Sequence, residues 1–92
     1  MPSAATISLM EYELSNHAAV MLRRRGIQRE WMEAALTSPQ RIERDTTDPF
    51  IVYHLRTIEA CEGRVLRVLY NQTMTPVRVV SVFLDRRMKG KL

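Results

Sequence analysis

Two histidines and a scatter of arginines are the side chains of this 92-residue chain best suited to chemistry. His17 opens a short helical run that closes on Arg23-Arg24-Arg25 and stops at Gly26. His54 and Arg56 stand in a strand-like run, and later strand-like runs carry Arg67 and Arg78. Cutting RNA without a metal needs a base for the 2′-hydroxyl, cations for the pentacoordinate phosphate and an acid for the leaving oxygen. His54 or His17 could carry the proton. Arg56, Arg67 and Arg78 could hold the phosphate, if the strands bring them with His54 to one open face. The plainer reading, favoured on sequence alone, is that strand arginines keep an exposed sheet soluble.

The other candidates divide in the same way. His17 is a general base or RNA contact in one reading, and in the favoured one a helix-start histidine bonded to a neighbouring strand. Arg23 and Arg24 suit phosphate as well as they suit the negative end of a helix dipole. Arg25 falls seven residues after Ala18, inside the apolar face, so a half-buried ion pair is expected of it. Arg86, Arg87, Lys89 and Lys91 could track a phosphate backbone, or form a flexible solubilising tail. Trp31 is either a partner anchor or a shield for the core edge. The two histidines and the lone Cys61 have no metal-ligand spacing, and no glycine loop for phosphate is present. No metal or cofactor is expected.

Composition bounds these readings. A net charge of +4 favours phosphate or acidic partners but is silent on fold. One cysteine permits no intrachain disulfide, which argues against a disulfide-stapled secreted domain and fits a reducing cytoplasm. Met1 to Ile7 lack the basic and apolar regions of a signal peptide, and no apolar run approaches membrane-spanning length. With 46% hydrophobic residues, the chain has enough apolar material for one globular domain, with a core over about residues 12–86 and a basic tail over 86–92.

The elements that must position these residues follow from periodicity. Residues 1–9 read as a frayed start and residues 11–14 as a short strand or extended lead-in. Ser15 or Asn16 caps a helix that runs to about Arg25, and Gly26 suits the left-handed position after it. A second helix spans about Gln28 to Thr37, with Met32, Ala35 and Leu36 inward and Pro39 beyond its end. From Arg41 onward the period is two. Strands are expected at 41–44, 50–58, 64–70 and 77–84, joined by short turns and therefore antiparallel. Alternation pairs Leu66, Val68 and Tyr70 on one face against Val65, Arg67 and Leu69 on the other. In the last strand it sets Val77, Val79, Ser81 and Phe83 against Arg78, Val80, Val82 and Leu84. The face with Arg67 and Arg78 is the expected open one. Its Val65, Leu69, Val80, Val82 and Leu84 would then need a covering partner or a second copy of the chain. The fold expected is α+β: two N-terminal helices on a three- to four-stranded antiparallel sheet.

The order His17-Ala18, Arg25-Gly26-Ile27, a second helix, Leu36-x-x-Pro39 and a hydrophobic strand resembles a family of short bacterial proteins of unknown function. Those proteins in turn resemble the RelE/ParE superfamily of type II toxins, the BrnT toxins in particular. The likeness covers about residues 12–86. It departs at Met21, where the family usually has a basic residue, at Gln28, usually Ser or Thr, and at Trp31, usually polar. The resemblance implies a RelE/ParE-like fold and a cognate antitoxin over the sheet. The expected function is a toxin-type protein that binds RNA, with metal-independent cleavage of that RNA left open. Its candidate contacts are Arg24, Arg56, Arg67, Arg78, Arg86 and Arg87. The alternatives are a non-catalytic module binding nucleic acid or protein through its sheet face, and a ParE-like inhibitor of a topoisomerase.

Overall fold

The computed structural model describes residues 11–92. The frayed start expected over residues 1–9 lies outside them. The chain runs β1 (Tyr12–Leu14), α1 (Asn16–Arg25), α2 (Arg29–Thr37), β2 (Arg41–Arg44), β3 (Ile51–Ile58), β4 (Arg64–Asn71) and β5 (Val77–Asp85). Short 3-10 turns follow β3 at Glu59–Cys61 and β5 at Arg86–Met88. No helix among the described residues is long and apolar enough to cross a membrane.

Ser15 starts α1. Its backbone is extended, and its Oγ accepts the Ala18 amide at 3.0 Å, satisfying one donor the helix cannot. Gly26 ends it at φ 62°, a left-handed backbone that costs a residue with a Cβ. The chain then folds back, the Ile27 amide reaching the Leu22 carbonyl at 3.0 Å, and Ile27 enters the core at 5% exposure. This reversal corrects the expectation for Arg25. Ile27 closes the apolar face, and Arg25 is exposed rather than half-buried in an ion pair. A Cβ on Gly26 would meet nothing within 4 Å, so Gly26→Ala isolates the backbone cost. We expect it to lower the unfolding free energy by about 1 kcal/mol, read from the urea midpoint at constant m. An unchanged midpoint would show that the turn does not need its left-handed residue.

In α2 the expected stripe is the buried one: Met32 and Ala35 are fully buried and Leu36 nearly so. Gln28 precedes the helix with an extended backbone and no side-chain cap. Together with Ala18, Leu22 and Ile27, this stripe covers Ile58, Leu66, Val68, Val79 and Val82 of the sheet.

The sheet has five strands in the order β1-β5-β4-β3-β2. The expected three or four antiparallel strands are therefore corrected to a mixed sheet whose first strand precedes the helices. β1 lies parallel to β5, Tyr12 beside Val77 and Leu14 beside Val79. The short strand or extended lead-in expected at residues 11–14 is a strand; what local pattern could not give is its pairing partner, at the other end of the chain. The remaining neighbours are antiparallel, as their short turns require.

A bulge corrects the expected faces of β5. Leu69 pairs with Ser81 but Tyr70 pairs with Val79, leaving Val80 without an opposite residue. Beyond that extra residue the alternation flips. Val82 and Leu84 turn to the helix side with Val79, while Ser81, Phe83 and Asp85 share the other face with Arg67. Val82 and Leu84 thus leave the helix-free face, and Phe83 joins it.

Candidate functional site on the helix-free sheet face

The strand registers decide which candidates can meet. His54 pairs with Val68 and Arg56 with Leu66, so both stand on the side that the helices cover. Arg67 lies opposite Leu55 on one side and Phe83 on the other, on the face away from the helices. Arg78 shares that face at the far edge, 4.0 Å from Glu13. The condition for a phosphate site of His54, Arg56, Arg67 and Arg78, that the strands bring them to one open face, is thus not met. The alternation within β3 and β4 was legible, but neither the bulge in β5 nor the side that the helices would take was.

His54 is 5% exposed. Its Nδ1 lies 3.1 Å from the Ala35 carbonyl, which can only accept, so Nδ1 bears the proton. Its Nε2, 3.0 Å from the Tyr70 hydroxyl, then accepts from that group. The two rings meet edge to face, 4.9 Å between centroids. Burial lowers the His54 pKa and keeps the ring neutral, against the pull of the Ala35 and Leu36 backbone. The residue latches α2 to β3 and β4. Arg56 makes a second latch, its Nη1 donating to the Ser38 carbonyl at 2.7 Å just past the end of α2.

On the helix-free face the centre is Arg67, whose side chain is 13% exposed. Its Nε donates to Asp85 Oδ2 at 2.7 Å and its Nη1 to Glu43 Oε1 at 3.2 Å. The guanidinium also stands 5.6 Å from the centre of the Tyr53 ring. Asp85 is 4% exposed, and its other oxygen accepts the Arg87 amide at 3.0 Å and the Arg87 Nε at 3.3 Å. Burial alone would raise the Asp85 carboxyl. The bonds from Arg67 and Arg87 outweigh it and hold the group below the usual carboxylate range.

Tyr53 extends the cluster by donating to Asp45 Oδ1 at 2.5 Å. That bond, with burial, raises the phenol pKa, and the same bond with those from Thr47 and Asp48 holds Asp45 well below the usual carboxylate range. At neutral pH the face therefore presents a neutral phenol, an ionised carboxylate with its acceptors occupied, and an arginine matched by two acids. Phe83, half-buried, completes it across β5.

The remaining candidates lie apart. His17 and Arg24 are exposed on α1, and the bond to a neighbouring strand expected of His17 is made instead by Ser15, whose Oγ donates to the Val80 carbonyl at 3.2 Å. Trp31 is half-buried and packs against the core. The expected flexible tail instead opens with a capped turn: Asp85 caps the 3-10 turn that carries Arg86 and Arg87 off the end of β5. Sequence reasoning missed Glu43, Asp45, Tyr53, Phe83 and Asp85. Alternation sets Tyr53 on the opposite side of its strand from His54, and the histidine beside it is the stronger chemical signal. Asp85 had no signal, because a carboxylate after an apolar strand looks like the start of a loop. Among the described residues, no group of three or more His, Cys, Asp or Glu could hold a metal ion.

Residues 14–84 match the model of a family described as a domain of unknown function (DUF4258). The chain belongs to this family. The match runs from the end of β1 almost to the end of β5, so it takes in the helices, the bulge and most of the Arg67 cluster of this DUF4258 domain. No curated protein and no solved structure matches the chain.

Proposed function

We propose that this DUF4258 domain is a RelE/ParE-like toxin-type module that binds RNA through the helix-free face of its sheet. The observation that carries the reading is the grouping of Tyr53, Phe83 and Arg67 on one face, with β5 leading directly into Arg86 and Arg87. Aromatic side chains on a sheet are stacking platforms for unpaired bases, and flanking cations track the backbone. The superfamily assignment rests on the signature residues from His17 to Pro39 and on two adjacent helices followed by a strand meander. The module binds rather than cuts. Neither Tyr53 nor Asp45 is free to take a proton, and His54 faces the helices. A cognate antitoxin would act by covering the same face, in a reducing cytoplasm.

The test is binding of single-stranded RNA to the full chain, followed by fluorescence anisotropy. Tyr53→Ala and Phe83→Ala are each expected to weaken binding about tenfold or more. Arg86→Gln with Arg87→Gln should flatten the dependence of log K on log salt by about 0.7 for each phosphate that is no longer neutralised. RNA in the mixture should stay intact, and the chain expressed alone should arrest growth. Equal affinity across all four proteins would refute the assignment. A second reading, contact with a protein alone, is favoured by the face's centre, where Arg67 is matched by two carboxylates. Binding of a protein partner that persists in high salt, with no RNA bound, would decide for it.

A further inference from the structure

From the outer edge of β2 we infer a second interface, distinct from the helix-free face: two copies of the chain join their β2 strands antiparallel into one ten-stranded sheet. β2 ends the sheet, and among the described residues no strand pairs with its outer side. The Asp45 amide donates inward to the Ile51 carbonyl. By alternation Glu43 and Arg41 also face β3, so the amide and carbonyl groups of Ile42 and Arg44 point outward. Ile42, on the helix side of β2, is 58% exposed, more than any other large apolar residue described.

An edge like this invites another strand unless its side chains forbid it. Here they select one register. Centred on Ile42, an antiparallel copy sets Ile42 against the partner's Ile42 as a hydrogen-bonded pair. It also sets Arg41 against the partner's Glu43 as a close, non-hydrogen-bonded pair, twice by symmetry. Arg41 and Glu43 already lie on one side of the strand, 3.5 Å apart, with side chains 44% and 36% exposed. Arg41 can therefore turn to the partner's Glu43 while Arg67 keeps its own. The next register, centred on Glu43, would set Glu43 against the partner's Glu43 and Ile42 against an arginine. Like charges directly opposite oppose it. The self-complementary surface that a two-fold interface demands is thus present over three residues, Arg41, Ile42 and Glu43.

The full chain is tested by sedimentation and light scattering up to about millimolar protein, where even a dimer of millimolar Kd is populated. A dimer is expected that Ile42→Lys and Arg41→Glu each convert to monomer, with circular dichroism unchanged. In a Cys61→Ser background, Ile42→Cys should cross-link to its copy on oxidation, since a hydrogen-bonded pair sets the two Cα atoms about 5.5 Å apart, within disulfide reach. Glu43→Cys should not. A wild-type chain that stays monomeric throughout overturns the inference, as does a dimer indifferent to Ile42→Lys. Cross-linking through Glu43→Cys instead would overturn the register.

Discussion

Replacing Arg67 by Met lowers the stability of the domain by about 3 kcal/mol. The substitution keeps the length of the side chain and removes the charge. Asp85 then remains at 4% exposure without the partner that donates at 2.7 Å. A buried carboxylate that loses its partner costs several kcal/mol, because it must either stay ionised in a poor solvent or take up a proton. The estimate sits at the low end because Arg87 still donates to the other oxygen from its amide and Nε. Glu43 loses little, being part-exposed and still beside Arg41. Urea unfolding at pH 7 checks the size. The double variant Arg67→Met with Asp85→Leu should recover most of the loss, since an apolar pair leaves no orphaned charge. A double variant no more stable than the single one would place the cost in packing around Arg67 rather than in the ion pair.

The second large effect belongs to His54. His54→Leu is expected to cost about 2 kcal/mol at pH 7.5, from one buried carbonyl and one half-buried hydroxyl that lose a partner. It should also erase a pH dependence. The folded pKa of His54 lies below its ordinary value of 6.5, chiefly through burial. Between those two values the unfolded chain binds a proton that the folded chain does not. Stability is therefore full above about pH 6.5 and is lost as pH falls toward the folded pKa. Asp85 acts in a separate, more acid window, because its depressed pKa stabilises the fold only above about 3.8. Urea midpoints at pH 7.5 and 5.5 separate the two residues. The wild type should drop between them, and His54→Leu should drop far less. Equal drops in both would remove His54 from the acid response.

These two residues show where sequence reasoning reaches and where it stops. The elements were legible from local chemistry. Ser15 caps α1, Gly26 ends it, Met32, Ala35 and Leu36 line α2, and period two marks the strands from Arg41 onward. Each of those signals acts within a few residues of itself. The site was less legible because it depends on long-range choices. Which face the helices take decides whether His54 or Tyr53 meets solvent. The single bulge at Val80 decides whether Val82 or Phe83 does. The place of β1 in the sheet was hidden for the same reason: the short strand was legible, but its partner lies on β5 at the far end of the chain.

The pairing of β1 with β5 also governs how the chain can be made. The Ser15 hydroxyl and the Val80 carbonyl that it meets are 65 residues apart, and α1 packs chiefly on β5. During synthesis the first strand and the first helix must therefore wait, with their apolar faces uncovered, until the last strand has left the ribosome. Contacts so distant in sequence slow folding, because the loop between them must close before they form. A chain that stops anywhere before Val77 strands its beginning as well as its end.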